Sequence, residues 1–104
     1  MENSYRQITQ EEAKRLMDTR TDCVILDVRE QEDYDAGHIP GARCLPHKRT
    51  AELAPAMLPD RDQTILVYCR TGRRSKIAAQ TLAELGYTDV REFGGILDWP
   101  YETV

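Results

Sequence analysis

The feature of this sequence most able to do chemistry is a cysteine followed by a cluster of cations. Cys69 comes directly after an apolar, β-branched segment, residues 64–68. The next seven positions hold no carboxylate and four cations: Arg70, Arg73, Arg74 and Lys76. The chain as a whole is acidic, with a net charge of −4, so this local excess of positive charge needs a specific reason. The thiol of Cys69 is the group beside it that can become an anion and act as a nucleophile.

Residues 69–75 are suited to stabilise a thiolate. Gly72 permits a backbone conformation that a β-carbon would penalise, so the loop can curl and direct its amide groups at the sulfur. A helix beginning near Ser75 would add the positive end of its dipole. A free cysteine with a pKa of about 8.5 is only about 3% thiolate at pH 7, whereas helix N-termini and neighbouring cations can lower that pKa to about 3.5–7.5. We therefore predict an activated nucleophile at Cys69; the alternative is a small buried side chain without a chemical role.

Segments typical of strands and of helices alternate along the chain, which predicts an α/β fold with a parallel sheet. The predicted strands are residues 23–28, 42–45, 64–68 and 88–93. The predicted helices are residues 10–19, 30–36, 50–58 and a last one from about residue 75 to residue 85. Thr9 and Glu12 have the spacing of a capping box at the start of the first helix. The last helix has an apolar face formed by Ile77, Ala78, Leu82 and Leu85.

Two polar residues follow the end of a strand that should neighbour the strand of Cys69. Because ligands bind at the carboxyl edge of open α/β sheets, we expect Asp27 and Arg29 to lie near the thiol. They either support the cysteine loop through hydrogen bonds or an ion pair, or they form a helix cap or a solvated charge pair. A second basic patch, His47 with Lys48 and Arg49, either borders the mouth of the substrate site or is an ordinary surface patch, and we expect the latter.

Length and composition limit the remaining choices. The chain fits one domain, residues 1–104, with 40% apolar and 31% charged residues. Its acidic net charge gives no footprint for nucleic acid or an anionic membrane surface. No apolar run approaches the roughly 20 residues that span a bilayer, and residues 1–6 lack the apolar core of a secretory signal, so we expect a cytoplasmic protein. Its cysteines and histidines lack metal-ligand spacing, and we predict neither a metal nor an organic cofactor.

Four motifs, in order along the chain, resemble those of the rhodanese-like domain family of sulfurtransferases. They are LDVR at residues 26–29, GHIPGA at 37–42, CRTGRRS at 69–75 and GGILDW at 94–99. The resemblance implies a rhodanese-like α/β fold, with a five-stranded, mostly parallel sheet flanked by helices on both faces. It also implies an enzyme whose cysteine takes a sulfane sulfur from a donor such as thiosulfate and becomes a persulfide. The outer sulfur then passes to a thiophilic acceptor such as cyanide or a thiol.

The resemblance also assigns roles within the cysteine loop. Cys69 would be the nucleophile and the sulfur carrier. The substrate-binding residues would be Arg70, Thr71, Gly72, Arg73, Arg74 and Ser75. The amides of residues 70–74 would stabilise the persulfide, and the arginines would bind an anionic donor, which could be a small molecule or a protein persulfide. A second thiol, Cys44, could resolve the persulfide to a disulfide if it lies close to Cys69.

Two alternative functions are open. Related folds of the same superfamily hydrolyse phosphate esters or reduce arsenate with a His-Cys-x5-Arg loop. Here Tyr68 replaces the histidine, and Ser75 stands where the arginine would be. A loop shorter by one residue suits a sulfur atom better than a phosphoryl group, which argues against a dual-specificity phosphatase or an arsenate reductase. A non-catalytic rhodanese-like binding module commonly lacks the cysteine, which is present here.

Overall fold

A parallel β-sheet forms the centre of the fold. The computed structural model describes residues 4–104, and in them the sheet contains β1 (Arg6–Gln7), β2 (Val24–Asp27), β3 (Arg43–Cys44), β4 (Thr64–Cys69) and β5 (Asp89–Gly95). The five strands lie in the order β1-β5-β4-β2-β3, and every neighbouring pair is parallel. All residues of β4 are buried, as expected for the central strand of a sheet that is covered on both faces.

Four α-helices flank the sheet in this part of the chain: α1 (Gln10–Thr19), α2 (Gln31–Ala36), α3 (Thr50–Met57) and α4 (Arg73–Glu84). Two short 3₁₀ turns, His47–Arg49 and Ile96–Asp98, precede α3 and follow β5. The predicted capping box is confirmed, since the Glu12 amide donates to the Thr9 hydroxyl at 3.0 Å. The last helix begins at Arg73, two residues before the predicted start.

The sheet has one hydrophobic core on each face. Helices α3 and α4 pack on one face, against Leu26, Val28, Ile65, Val67 and Val90. Helices α1 and α2 pack on the other face, against Ile25, Leu66, Tyr68 and Phe93. Each fully buried Val, Leu or Ile side chain stabilises the fold by about 1.5–3 kcal/mol. The predicted α/β fold with helices on both faces is confirmed.

The predicted burial of one residue of α4 is wrong. Ile77 is 55% exposed, although the apolar pattern placed it on the buried face of α4. The buried apolar side chains of that helix are instead Ala78, Ala79, Leu82 and Ala83. Small alanine side chains let the helix lie close to the sheet, and the rotation that buries them turns Ile77 outward.

The carboxyl ends of β2 and β4 lie side by side at one edge of the sheet. Asp27 pairs with Tyr68 in the parallel register, so Cys69 stands at the edge where ligands are expected. Successive strand residues point to opposite faces. Tyr68 therefore enters the core beside α1 and α2, whereas Cys69 lies on the side of α4.

No helix within residues 4–104 is long and apolar enough to cross a membrane. The cytoplasmic prediction used residues 1–6, and residues 1–3 of that segment lie outside the described residues.

Candidate active site

The thiol of Cys69 lies inside a loop of backbone amides. Cys69 is the last residue of β4 and is only 1% exposed. The Gly72 amide donates to Sγ at 3.0 Å, and the amides of Thr71 and Ser75 also help to lower the pKa of the thiol. The loop can close around the thiol because Gly72 has a φ of +99°, a left-handed conformation that other residues adopt at a cost.

A glycine at the end of β5 leaves the space that the backbone of the cysteine loop occupies. A β-carbon on Gly95 would lie 2.6 Å from the Thr71 Cα and closer still to the Arg70 carbonyl oxygen. The Leu97 amide donates to that same carbonyl oxygen at 3.2 Å. These contacts explain the GGILDW motif. Its second glycine leaves room for the cysteine loop, and the turn that follows holds the loop through a hydrogen bond.

Hydrogen bonding and burial act on the thiol in opposite directions. Burial alone would raise the pKa of Cys69. The contact with the Ser75 hydroxyl, and then the amides of Ser75, Gly72 and Thr71, outweigh burial and hold the pKa of Cys69 below its ordinary value. The site thus makes the Cys69 thiol easier to ionise than an ordinary cysteine thiol.

A cavity of about 370 Å³ opens above the sulfur. Its walls are formed by His47, Cys69, Arg70, Thr71, Arg73, Arg74 and Ile77. The three arginines are exposed, so their charges stand at the mouth, where an anion would enter. Gly72 and Ser75 are buried and lie behind the sulfur, so the predicted substrate-binding residues divide into a cationic rim and a hydrogen-bonding base.

Of the two interpretations of the basic patch, the structure favours the expected surface position for Lys48 and Arg49 and the mouth of the site for His47. His47 forms part of the cavity wall, while Lys48 and Arg49 are exposed outside it. Among the described residues its Nδ1 atom is buried without a hydrogen-bond partner. Burial, followed by the charge of Arg74, lowers the pKa of His47, which favours a neutral ring beside the rim.

Sequence reasoning missed one buried carboxylate of the site, Glu92 on β5. Its side chain is 1% exposed and accepts a hydrogen bond from the Ser75 hydroxyl at 2.6 Å. The Gly94 amide also donates to it, at 2.8 Å. The available signal was a charged residue in the middle of a predicted buried strand, between Val90 and Phe93. Buried carboxylates are rare unless they are paired or hydrogen-bonded.

Asp27 and Arg29 form a buried ion pair, not a solvated pair or a helix cap. Asp27 is fully buried, Arg29 is 8% exposed, and the guanidinium holds the carboxylate through two nitrogens. Arg29 also donates to the Gly37 carbonyl at 2.6 Å. The Tyr68 hydroxyl donates to Asp27 at 2.7 Å and accepts from the Ile39 amide at 3.1 Å. Within residues 4–104, the hydrogen bonds of the pair join the ends of β2 and β4 and reach the cysteine loop through Tyr68.

The other two thiols do not share the environment of Cys69. Cys44 lies on β3, and β2 stands between that strand and β4. Burial raises the pKa of Cys44 to about 11. Burial also raises the pKa of Cys23. The arrangement gives no support to Cys44 as a resolving thiol.

Comparison with known proteins places the chain in a family. The family model described as "Rhodanese-like domain" matches residues 9–101. The thiosulfate sulfurtransferase PspE of Escherichia coli strain K12 is 41% identical over 73 residues, which cover 70% of each chain. The thiosulfate sulfurtransferase GlpE of Pseudoalteromonas translucida is 35% identical over 97 residues, covering 92% of this chain and 90% of the relative. A solved structure described as a rhodanese with anions from E. coli is 38% identical, with a TM-score of 0.73, covering 79% of this chain and 96% of the other.

The chain therefore belongs to the rhodanese-like domain family, and the predicted fold family is confirmed. Both relatives named above are thiosulfate sulfurtransferases, which supports a sulfurtransferase of the rhodanese type.

Replacing Tyr68 by phenylalanine tests the buried network beneath the loop. The change removes one donor to Asp27 and leaves the buried Ile39 amide without its acceptor, so Tyr68→Phe should lower the free energy of unfolding by about 1–3 kcal/mol. Denaturant unfolding measures this, with Tyr101→Phe as a matched control. Tyr101 is 37% exposed, and its variant should change stability by less than about 0.5 kcal/mol. Equal stabilities of the two variants would show that the network contributes nothing.

The difference between the thiols predicts selective alkylation. With a pKa of about 11, only about one Cys44 in ten thousand is thiolate at pH 7. At neutral pH, iodoacetamide should therefore label Cys69 at least about ten times faster than Cys44. Peptide mass mapping over time measures the two rates. Cys69→Ser should leave the rates of Cys23 and Cys44 unchanged. Labelling of Cys69 that begins only near the pKa of a free cysteine would contradict the lowered pKa.

Proposed function

We propose that this protein transfers sulfane sulfur from an anionic donor to a thiophilic acceptor as a persulfide on Cys69. Family membership and relatives named thiosulfate sulfurtransferase support a sulfurtransferase of the rhodanese type. The persulfide step rests on one observation: the Cys69 sulfur is hydrogen-bonded by loop amides at the base of a cavity with an arginine rim.

The first half of the cycle loads the enzyme. The Cys69 thiolate attacks the sulfane sulfur of a donor such as thiosulfate, and a new sulfur–sulfur bond forms. The sulfur–sulfur bond of the donor breaks, and sulfite leaves with its electron pair. The product is a Cys69 persulfide anion, so the total charge is unchanged. The amides that hydrogen-bond the thiolate then lie next to the outer sulfur and can stabilise its charge in the same way.

The second half of the cycle discharges the enzyme. Cyanide or a thiolate attacks the outer sulfur, the persulfide bond breaks, and the electron pair returns to the Cys69 sulfur as a thiolate. The products are thiocyanate or an acceptor persulfide. Neither half requires a metal or an organic cofactor, because the sulfur–sulfur bonds supply and accept the electrons.

The two groups of loop residues have different roles in this cycle. The exposed guanidinium groups of Arg70, Arg73 and Arg74 attract and orient the anionic donor, and Thr71 lines the cavity between them. Gly72 and Ser75 stabilise the sulfur from behind. Asp27 and Arg29 support the site indirectly, by holding Tyr68 and the end of β4. A small anion or the persulfide of a protein could be the donor.

Phosphoryl transfer fits the loop less well. The position at which phosphatases of this superfamily would have arginine is Ser75, which is fully buried and donates to Glu92. Its side chain therefore supplies no positive charge for a phosphoryl group. Tyr68, at the histidine position, points to the opposite face of the sheet and bonds Asp27. A purely binding role fits less well still, because such a role needs no thiol with a lowered pKa.

The proposal extends to the compartment and to the partners. Cys23, Cys44 and Cys69 are all free in the described chain, which suits a reducing environment such as the cytoplasm. The net charge of −4 disfavours binding to nucleic acid or to an anionic membrane surface, whereas the local cluster of arginines at the cavity attracts a small anion.

Intact mass spectrometry tests the persulfide directly. After incubation with thiosulfate and removal of excess reagent, the protein should gain the mass of one sulfur atom. Cyanide should remove that atom and release thiocyanate in equal amount. Cys69→Ser should remain folded, gain no sulfur and lose turnover, whereas Cys44→Ser should behave like the unaltered protein. Thiocyanate formation by Cys69→Ser at a substantial rate would overturn the proposal.

Charge removal at the rim should weaken donor binding rather than the transfer step. An exposed ion pair contributes about 0.2–1 kcal/mol, so Arg73→Ala or Arg74→Ala should raise the KM for thiosulfate about 1.4- to fivefold with little change in kcat. Arg49→Ala is a matched control, because Arg49 is exposed, pairs with Glu52 at 3.2 Å and does not line the cavity. Unchanged KM values in both rim variants would rule out the donor-binding role.

A further inference from the structure

A chain of buried hydrogen bonds leads from the Cys69 thiol to Glu92. The Ser75 hydroxyl oxygen lies 3.3 Å from the Cys69 sulfur and 2.6 Å from the Glu92 Oε2 atom. Relative exposures are 1% for Cys69, 0% for Ser75 and 1% for Glu92. The sulfur-transfer cycle described above assigns no role to this carboxylate, although burying one is costly unless its interactions compensate.

The hydroxyl of Ser75 can serve only one of its two neighbours at a time, because it has a single hydrogen. When Glu92 is a carboxylate, Ser75 donates to it, and the Cys69 thiol donates to the Ser75 oxygen. When Cys69 is a thiolate, Ser75 can donate its hydrogen to the sulfur, and a protonated Glu92 can then donate to the Ser75 oxygen. Both arrangements satisfy every group, and both have one acidic proton and one negative charge.

Ionising both ends at once is the unfavourable arrangement. Two buried negative charges would then share one hydroxyl hydrogen, and like charges so close together oppose each other's ionisation. Groups coupled in this way lose their protons in two steps that belong to the pair and not to either residue. The geometry therefore couples thiolate formation at Cys69 to the protonation state of Glu92.

Other groups donate hydrogen bonds to each end of this Cys69–Ser75–Glu92 series and can stabilise a negative charge there. The amides of Thr71, Gly72 and Ser75 serve the sulfur. The Gly94 amide and the Gln7 side-chain amide, at 2.8 Å and 3.3 Å, serve Glu92. The charged group nearest to Glu92 is the half-exposed Lys76, whose Nζ lies 3.8 Å from Oε1 and donates to the Gly72 carbonyl at 2.9 Å. Because hydrogen-bond donors stabilise an anion at either end, the negative charge can lie on the sulfur or on Glu92, and the proton then lies on the other group.

We propose that Glu92 is a positioning residue that accepts the Cys69 proton through Ser75 when the thiolate forms. The sulfur–hydrogen bond breaks as its proton moves to the Ser75 oxygen, and the Ser75 proton moves to Oε2 of Glu92. One proton is relocated, no charge is gained or lost, and no other reactant is needed. The benefit to catalysis rests on the proposed function: a neutral Glu92 removes a second negative charge from behind the sulfur before the anionic donor arrives.

Thiolate absorbance in the ultraviolet, followed against pH without substrate, tests the shared proton. Subtracting the Cys69→Ser curve removes the contribution of Cys23 and Cys44. The unaltered protein should show two steps, a partial one at lower pH and the remainder at higher pH. Glu92→Gln keeps the size and the hydrogen bond to Ser75 but cannot accept the proton, so its Cys69 should titrate in one full step. Ser75→Ala interrupts the chain and should also give one step.

Glu84→Gln is the matched control, since Glu84 is an exposed carboxylate on the same helix as Ser75, and it should retain both steps. A single full step in the unaltered protein would overturn the proposal even if the Glu92 and Ser75 variants failed to fold. Two unchanged steps in folded Glu92→Gln would overturn it as well. Because no sulfur transfer takes place in this measurement, its outcome is independent of whether Cys69 becomes a persulfide.

Discussion

Hydrogen bonds to one buried sulfur are the interaction on which the site depends. Cys69 is 1% exposed, and burial alone would keep its thiol protonated. The Ser75 hydroxyl and the amides of Ser75, Gly72 and Thr71 reverse that effect. Each unit by which they lower the pKa corresponds to about 1.4 kcal/mol of preference for the anion. Backbone amides suit this task because the fold fixes their direction, and no side chain has to be ordered when the charge appears.

The shape of that loop is imposed by elements distant in the sequence. β4 delivers Cys69 to the carboxyl edge of the sheet, and α4 begins only a few residues later, at Arg73. At Gly95, β5 passes so close to the loop that a side chain would clash with its backbone. On the opposite face, the buried pair of Asp27 and Arg29 holds Tyr68, the residue before the cysteine. The loop is thus fixed at its entry and at its base, and its three exposed arginines line the mouth of the cavity.

Local sequence patterns were sufficient for much of the fold and for the nucleophile, and the errors have physical reasons. The buried strands were predictable because a central parallel strand is apolar at nearly every position, as in β4. The cysteine loop was predictable because cations, glycine and thiol are adjacent in the chain. β1 was not predicted, since Arg6 and Gln7 are too few to show a period. Ile77 was misplaced because an apolar residue in a helical pattern can face a cavity as readily as a core.

Glu92 was missed, and the position of His47 was left open, for a different reason. Their importance lies in contacts across the fold, which no spacing along the chain reveals: Glu92 meets Ser75 from the neighbouring β5, and His47 reaches the cavity from the turn before α3. A charged residue within an apolar strand was the usable warning for Glu92. His47 offered none, because it stood in a cluster with Lys48 and Arg49 that is typical of an exposed patch.

The most direct measurement of the central claim is the nuclear magnetic resonance of the loop amides as sulfur is loaded. If Cys69 becomes a persulfide as proposed and these amides hold its negative charge, the amide-proton signals of Thr71, Gly72 and Ser75 should shift more than those of other residues when thiosulfate is added. The signals should return when cyanide removes the sulfur. Unmoved loop signals in a protein that demonstrably carries a cyanide-removable sulfur would contradict the claim.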